Sequence, residues 1–233
     1  MKKLKAFTLA EVLIVIAIIG IIATLTLPTL NNNIMKNMAA TGLAKAINDL
    51  ESANKLLMEQ NHLRNLTDHA NVSGNLNNGQ TVGFRYFEAL GSVMELTEGS
   101  SYTYYPYGSG NATTLDKVYT SKNNISYILS SNTGFKPIGS TTMNGYSGNF
   151  LPSVVIDVNG IAKGPNKLGK DVFMIDIDSK GIVIPVGSKL EQAYNNDRND
   201  NWETQCIKQA GGPANASYCA GAIADNGYKV LYY

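Results

Sequence analysis

Residues 7–30 form an almost unbroken apolar run whose single charge is Glu11; between Val12 and Leu30 there is none. At 1.5 Å per residue, a helix over this run is about 36 Å long, enough to cross the roughly 30 Å hydrocarbon core of a bilayer. After Asn31-Asn32-Asn33 the pattern changes. Ile34, Met38, Leu43, Ile47, Leu50 and Leu57 recur at helical spacings, with Lys36, Lys45, Asp49 and Glu51 between them. That is the pattern of an amphipathic helix. Joined end to end, the two stretches predict one helix over residues 7–60, roughly 80 Å long, with its second half packed against the remainder of the chain.

That remainder, residues 61–233, is long enough for one domain with its own core. Its composition turns towards Gly, Asn, Ser, Thr and Tyr with short apolar runs, which favours strands and loops over further long helices. Residues 80–96 read either as a strand around 81–86 or as a helix over 86–96. Residues 102–149 are rich in turn formers and predict an irregular, surface-forming insertion with short strands near Val118 and over 125–129. The clearest strands are 153–157, 172–178 and 182–186, with Ser179-Lys180-Gly181 turning between the last two. A small antiparallel sheet needs one face covered, and the amphipathic helix is available to cover it. The fold class is therefore α+β. The chain divides into a leader (1–6), an apolar helix (7–30), its amphipathic continuation (31–60) and a globular domain (61–233).

Charge adds an orientation. Lys2, Lys3 and Lys5 precede the apolar run, and no further base occurs until Lys36. The positive-inside tendency then keeps the N-terminus cytoplasmic and exports the domain. An ordinary cleaved signal peptide is the simplest alternative, and an uncleaved anchor is another. Against the first, Glu11 falls inside the apolar run, the run exceeds the usual length of about 7–15 residues, and no small-x-small site comes after it. An acid within a membrane-length helix costs about 2.5–3.5 kcal/mol near the bilayer centre, so Glu11 calls for a partner.

The segment from Lys5 to Ala23, with Ala6, Phe7, Glu11 and Gly20 in place, closely resembles the leader and N-terminal helix of type IV pilins and type II secretion pseudopilins. The resemblance covers roughly the first 50 residues. It implies a long helix with a globular head. It also implies cleavage between Ala6 and Phe7 by a prepilin peptidase, and methylation of the Phe7 amine. Ala6 stands where the family usually has Gly, and Ala10 where it has Ile or Val. By the same resemblance, Glu11 meets the amine of a neighbouring subunit in a homo-oligomeric or mixed pilin filament, so that two charges costly to bury alone become a pair. A glutamate reaching back to lipid headgroups is the plainer alternative. Pro28 removes a helical donor and Gly20 adds softness, which predicts a kink; in the family, such a segment loses helical structure on polymerisation. A membrane assembly platform and its ATPase, encoded elsewhere, are implied partners, with membrane lipid surrounding the helix before assembly. A minor pilin or membrane-anchored adhesin that does not polymerise in bulk is the alternative role. Either places the chain in the bacterial cytoplasmic membrane as a single-pass protein, and later in a periplasmic or surface filament.

Other chemistry is sparse. Asp157, Asn159 and Asp171, with Gly160, Gly164 and Gly169 between, fit an Asx-type turn between strands or an oxygen-rich loop for Ca²⁺. The spacing is not that of an EF-hand, and the turn is the simpler reading. Beyond that possible calcium, no cofactor is implied. Cys206 and Cys219 lie in the part expected to be exported, where a disulfide forms readily; it resembles the C-terminal disulfide loop of many pilins. No nucleotide-binding, hydrolase or zinc motif occurs, and His62 and His69 fall in a polar stretch after the long helix, so an enzyme is not expected. Net charge is +1, and removing the leader lysines leaves 16 bases against 18 acids. That balance gives no electrostatic support for nucleic-acid binding.

Overall fold

The computed structural model describes residues 8–69, 82–105, 112–115, 117–129, 150–194, 206 and 216–232. Helix α1 spans Leu9–Gln60, 52 residues, or about 78 Å. Its two halves have opposite surroundings. Every described residue from Thr8 to Ile34 is exposed except the half-buried Ala23. From Ala39 onwards, Ala39, Ala40, Leu43, Ala46, Ile47, Leu50, Ala53, Asn54 and Leu57 are buried, at steps of three and four along one stripe. The alanines let the sheet approach. Leu43, Leu50 and Leu57 fill the space between, each contributing about 1.5–3 kcal/mol. Ile34 and Met38, expected on the same face, are 48 % and 47 % exposed, because the domain meets the helix only from Ala39.

A six-stranded antiparallel sheet lies against this stripe: β1 (Leu96–Gly99), β4 (Lys117–Ser121), β5 (Ser126–Leu129), β6 (Phe150–Asp157), β7 (Val172–Asp178) and β8 (Val183–Pro185), in that spatial order. Four of its five pairings join consecutive strands, and β1 adds to the free edge of β4. A separate hairpin of β2 (Tyr102–Tyr104) and β3 (Thr113–Leu115) stands between β1 and β4 in the chain. The arrangement is α+β and pilin-like. The ambiguous stretch is helical over Val82–Leu90, across the residues offered as a strand, and the helix ends well short of Leu96, which begins β1. Helix α2, Val82–Leu90, buries Tyr86, Phe87, Ala89 and Leu90, a helical rather than alternating spacing. Two short helices not expected from the sequence, α3 (Lys189–Tyr194) and α4 (Cys219–Asp225), pack beside β7 and β8.

The sheet has a defined direction on the helix. At one end of β6, Val158 sits against Gly42, where an added Cβ would lie 2.7 Å from the Val158 Cβ. At the far end of β7, the turn to β8 meets Asn54. The Asp178 carboxylate closes that turn, its Oδ1 accepting from the backbone N–H of Lys180 (2.9 Å) and Ile182 (2.7 Å). Asn54, 1 % exposed, ties three elements together. Its Nδ2 donates to the Gly181 carbonyl (2.8 Å), and its Oδ1 accepts from the Tyr86 hydroxyl (2.6 Å). Asn54→Leu strands both partners in the core, so we expect a loss of about 3 kcal/mol, read as a lower urea midpoint. Adding Tyr86→Phe should recover part of it by removing one of the stranded groups.

Candidate functional site

The N-terminal segment begins with a reciprocal cap. Thr8 precedes α1 in extended conformation, and its Oγ1 accepts from the Glu11 N–H (3.3 Å). In return Glu11 Oε2 accepts from the Thr8 N–H (2.8 Å) and from its hydroxyl (2.9 Å). The Thr-x-x-Glu spacing is a sequence signal for this capping box, easily overlooked when Glu11 is read only as a charge needing an external partner. The carboxylate thus has a place within its own chain: it satisfies first-turn donors and complements the positive end of the helix dipole. It also lies at the end of the helix.

Beyond the cap, the helix runs unbroken through Gly20 and Pro28. Pro28 has no N–H for the Thr24 carbonyl, while the Thr24 and Thr26 hydroxyls donate to the carbonyls of Ile21 (2.8 Å) and Ile22 (2.9 Å). Gly20 has no other group near the position of a Cβ. Leu9, Ile14, Ile16, Ile19, Ile21, Leu25, Leu27 and Leu30 are all more than half exposed. This is the one helix among the described residues long and apolar enough to cross a membrane. An apolar surface this large needs covering by lipid or by other helices. Ala6 and Phe7 lie outside the described residues.

The three residues considered for calcium do come together; the loop's own groups engage both carboxylates, while Asn159 Oδ1 is buried without a hydrogen-bond partner among the described residues. Asp157 is fully buried. Its Oδ1 accepts from the N–H groups of Asn159 (3.1 Å) and Gly160 (2.9 Å), and its Oδ2 from the Tyr102 hydroxyl (2.6 Å). Asp171 accepts from the N–H groups of Asn166 (2.8 Å) and Lys167 (2.7 Å), and from the Asn159 amide (3.3 Å). This is the Asx-type turn elaborated into the closure of a whole loop. Among the described residues, no group of three or more His, Cys, Asp or Glu has metal-holding geometry. Tyr102 also pins the β2–β3 hairpin to this loop across 55 residues of sequence.

Burial pushes the Asp157 carboxyl up to about 6, with the nearby Asp171 charge adding to the effect against the hydrogen bonds that oppose it. Burial raises Asp171 in the same direction. A carboxyl whose pKa is higher folded than unfolded binds its proton more tightly in the native state, so stability rises as pH falls from about 6 towards about 4. A rise of roughly two units corresponds to about 3 kcal/mol. We expect the urea midpoint to be higher at about pH 5 than at about pH 7.5, and Asp157→Asn to flatten most of that difference.

Cys206 and Cys219 form a disulfide, S–S 2.01 Å, as expected from their setting. It fixes residue 206 to the start of α4, beside Gly169. A closed loop of this size contributes about 3 kcal/mol in the chain-entropy model.

Residues 1–27 match the family profile described as the prokaryotic N-terminal methylation motif, the prepilin-type signal of type IV pilins and pseudopilins. The chain is pilin-like. No curated protein and no solved structure matches it. The pilin-like motif covers the cap, Glu11, Gly20 and most of the exposed apolar half of α1. Its family is structural rather than enzymatic, and it implies prepilin-peptidase processing and filament assembly in general terms.

Proposed function

We propose that the protein is a structural filament subunit of a type IV pilus or a type II secretion pseudopilus. It is made as a prepilin, cut between Ala6 and Phe7, and methylated on the Phe7 amine. Residues 7–30 hold it in the cytoplasmic membrane with the domain exported, until an assembly platform moves it into a filament built around the same residues. The observation that carries this reading is the half-bare helix: a matched signal continues into apolar side chains that are exposed from Leu9 to Ile34. In the membrane, lipid covers them; in a filament, the helices of other subunits do. The capping box supports the proposed role of Glu11, because it holds the carboxylate at the end of the helix, where an incoming amine can share it.

Intact-mass and N-terminal peptide mass spectrometry on protein from its native membrane tests the proposal. The expected chain begins at Phe7 and carries one added methyl group. A chain that retains Met1, or one that begins beyond the apolar run, would overturn it.

A second role, as a low-abundance subunit or membrane-anchored binding module, draws support from the β2–β3 hairpin, which stands apart from the main sheet. Abundance in sheared surface material separates the two roles, because a major subunit must be plentiful there.

A further inference from the structure

We propose that the loop over residues 158–170 is a docking surface for anionic phospholipid headgroups, engaged while the chain waits in the membrane. The proposal rests on the membrane reading above. The first observation is position. Val158 packs on Gly42, twelve residues beyond Leu30, the last residue of the apolar run, and so about 18 Å along the helix. Strand β6 runs from its Asn54 end towards its Gly42 end, so the loop leaves the sheet heading for the apolar half of α1. The headgroup layer extends roughly 5–7 Å beyond the hydrocarbon, and its field a further ~8 Å at physiological salt. Together these occupy most of the gap.

The second observation is charge. The ionisable residues within 158–170 are Lys163, Lys167 and Lys170. The acids at the two ends of the loop, Asp157 and Asp171, are buried and hydrogen-bonded inward; they offset part of this charge, which leaves three bases against two acids with the bases on the outer side. Lys163 is exposed, and Lys167 and Lys170 are half-buried. The third observation is the set of apolar groups among these lysines. Ile161 is 39 % and Tyr105 44 % exposed, and Pro165 is exposed. Tyr105 is held against the loop by backbone bonds, its N–H donating to the Asn166 carbonyl (2.8 Å) and its carbonyl accepting from Leu168 (2.9 Å). Basic side chains around an exposed Tyr and Ile suit the boundary between headgroups and acyl chains, where the aromatic ring sits at headgroup level and lysine stems lie along apolar surface. Each lysine near an anionic surface shifts occupancy by about fivefold.

The test uses the full chain reconstituted into vesicles of phosphatidylcholine alone or with about one quarter phosphatidylglycerol. The native cysteines are paired, so Ile161→Cys takes a single environment-sensitive fluorophore. Quenching by neutral acrylamide is expected to fall about fivefold in the anionic vesicles, and to recover in about 0.5 M salt. Replacing Lys163, Lys167 and Lys170 by Gln should abolish the lipid dependence. The same label at Lys180→Cys, at the Asn54 end of the sheet, should respond to neither. Equal quenching in both vesicles would overturn the proposal. So would a change that tracks the protein-to-lipid ratio instead of lipid charge, which would make the loop a contact between copies. Flotation with neutral vesicles reads the apolar helix separately. A chain that floats with a silent label loses only this proposal, whereas one that does not float loses the membrane reading with it.

Discussion

Replacing Glu11 by alanine is expected to leave cleavage and methylation of the N-terminus largely intact while cutting filament yield on the order of a hundredfold. On the proposed function the two effects separate, because the peptidase would act on a lone subunit, whereas the carboxylate would be needed when apolar helices come together. In the lone chain, Glu11 is already engaged with Thr8, through bonds of 2.8 and 2.9 Å to one oxygen. Losing that cap frays one turn, a cost of about 1 kcal/mol. In a filament the cost is of another size. A neighbouring amine left without its carboxylate in an apolar surround costs about 3–5 kcal/mol. Thr8→Val, which removes the hydroxyl but leaves the carboxylate, should therefore have a small effect beside Glu11→Ala. Counting sheared filaments and sequencing the N-termini of both variants checks the pair. A normal yield from Glu11→Ala would remove the pairing argument.

Gly221→Ala is expected to destabilise the domain by about 3 kcal/mol or more, the upper end of overpacking in cores. An added Cβ would lie 2.0 Å from the Ser188 nitrogen and 2.1 Å from the Gly187 carbonyl carbon. These are backbone atoms with no rotamer through which to retreat. The contact belongs to a tight corner: the Gly221 N–H donates to the Val186 carbonyl (2.9 Å), and Gly187 itself turns with a φ of +90°. Gly20→Ala is the matched control, because nothing lies within 4 Å of its Cβ position. Its domain should unfold at the wild-type midpoint. Urea denaturation of both variants, monitored by the ellipticity of the sheet, measures the contrast.

How far these features could be read from the sequence depends on how local their causes are. The limits of α1 and the β7–β8 hairpin are local: a periodic stripe sets the first, and two β-branched runs about Ser179-Lys180-Gly181 set the second. Helix α2 was ambiguous because its nine residues are too few for periodicity to exclude a strand. Helix α4, Cys-Ala-Gly-Ala-Ile-Ala-Asp, was not legible because small residues signal close packing only once the opposing backbone is known. Asn54 falls on the apolar face by its spacing from Ile47, Leu50 and Leu57, but the partners that satisfy it, Gly181, 127 residues away, and Tyr86, have no local signal. The Asp157 turn was legible as a turn. Its bond to Tyr102 was not, because no short spacing encodes it. At the N-terminus, charge in an apolar run singled out Glu11, while Thr8 three residues earlier gave a second signal that the charge alone obscures.

The continuity of α1 has a mechanical consequence. Its 52 residues have no linker, so the head and the tail are parts of one rod. The sheet is clamped to that rod at two levels, by Val158 on Gly42 and by Gly181 on Asn54, which leaves it no pivot. With α1 helical throughout, as it is in the single chain, a displacement of the tail along the helix axis is therefore copied by the head about 60 Å away. On the proposed function, whatever selects the neighbour for Glu11 would also set the stagger of the outer surface, for as long as residues 20–28 stay helical.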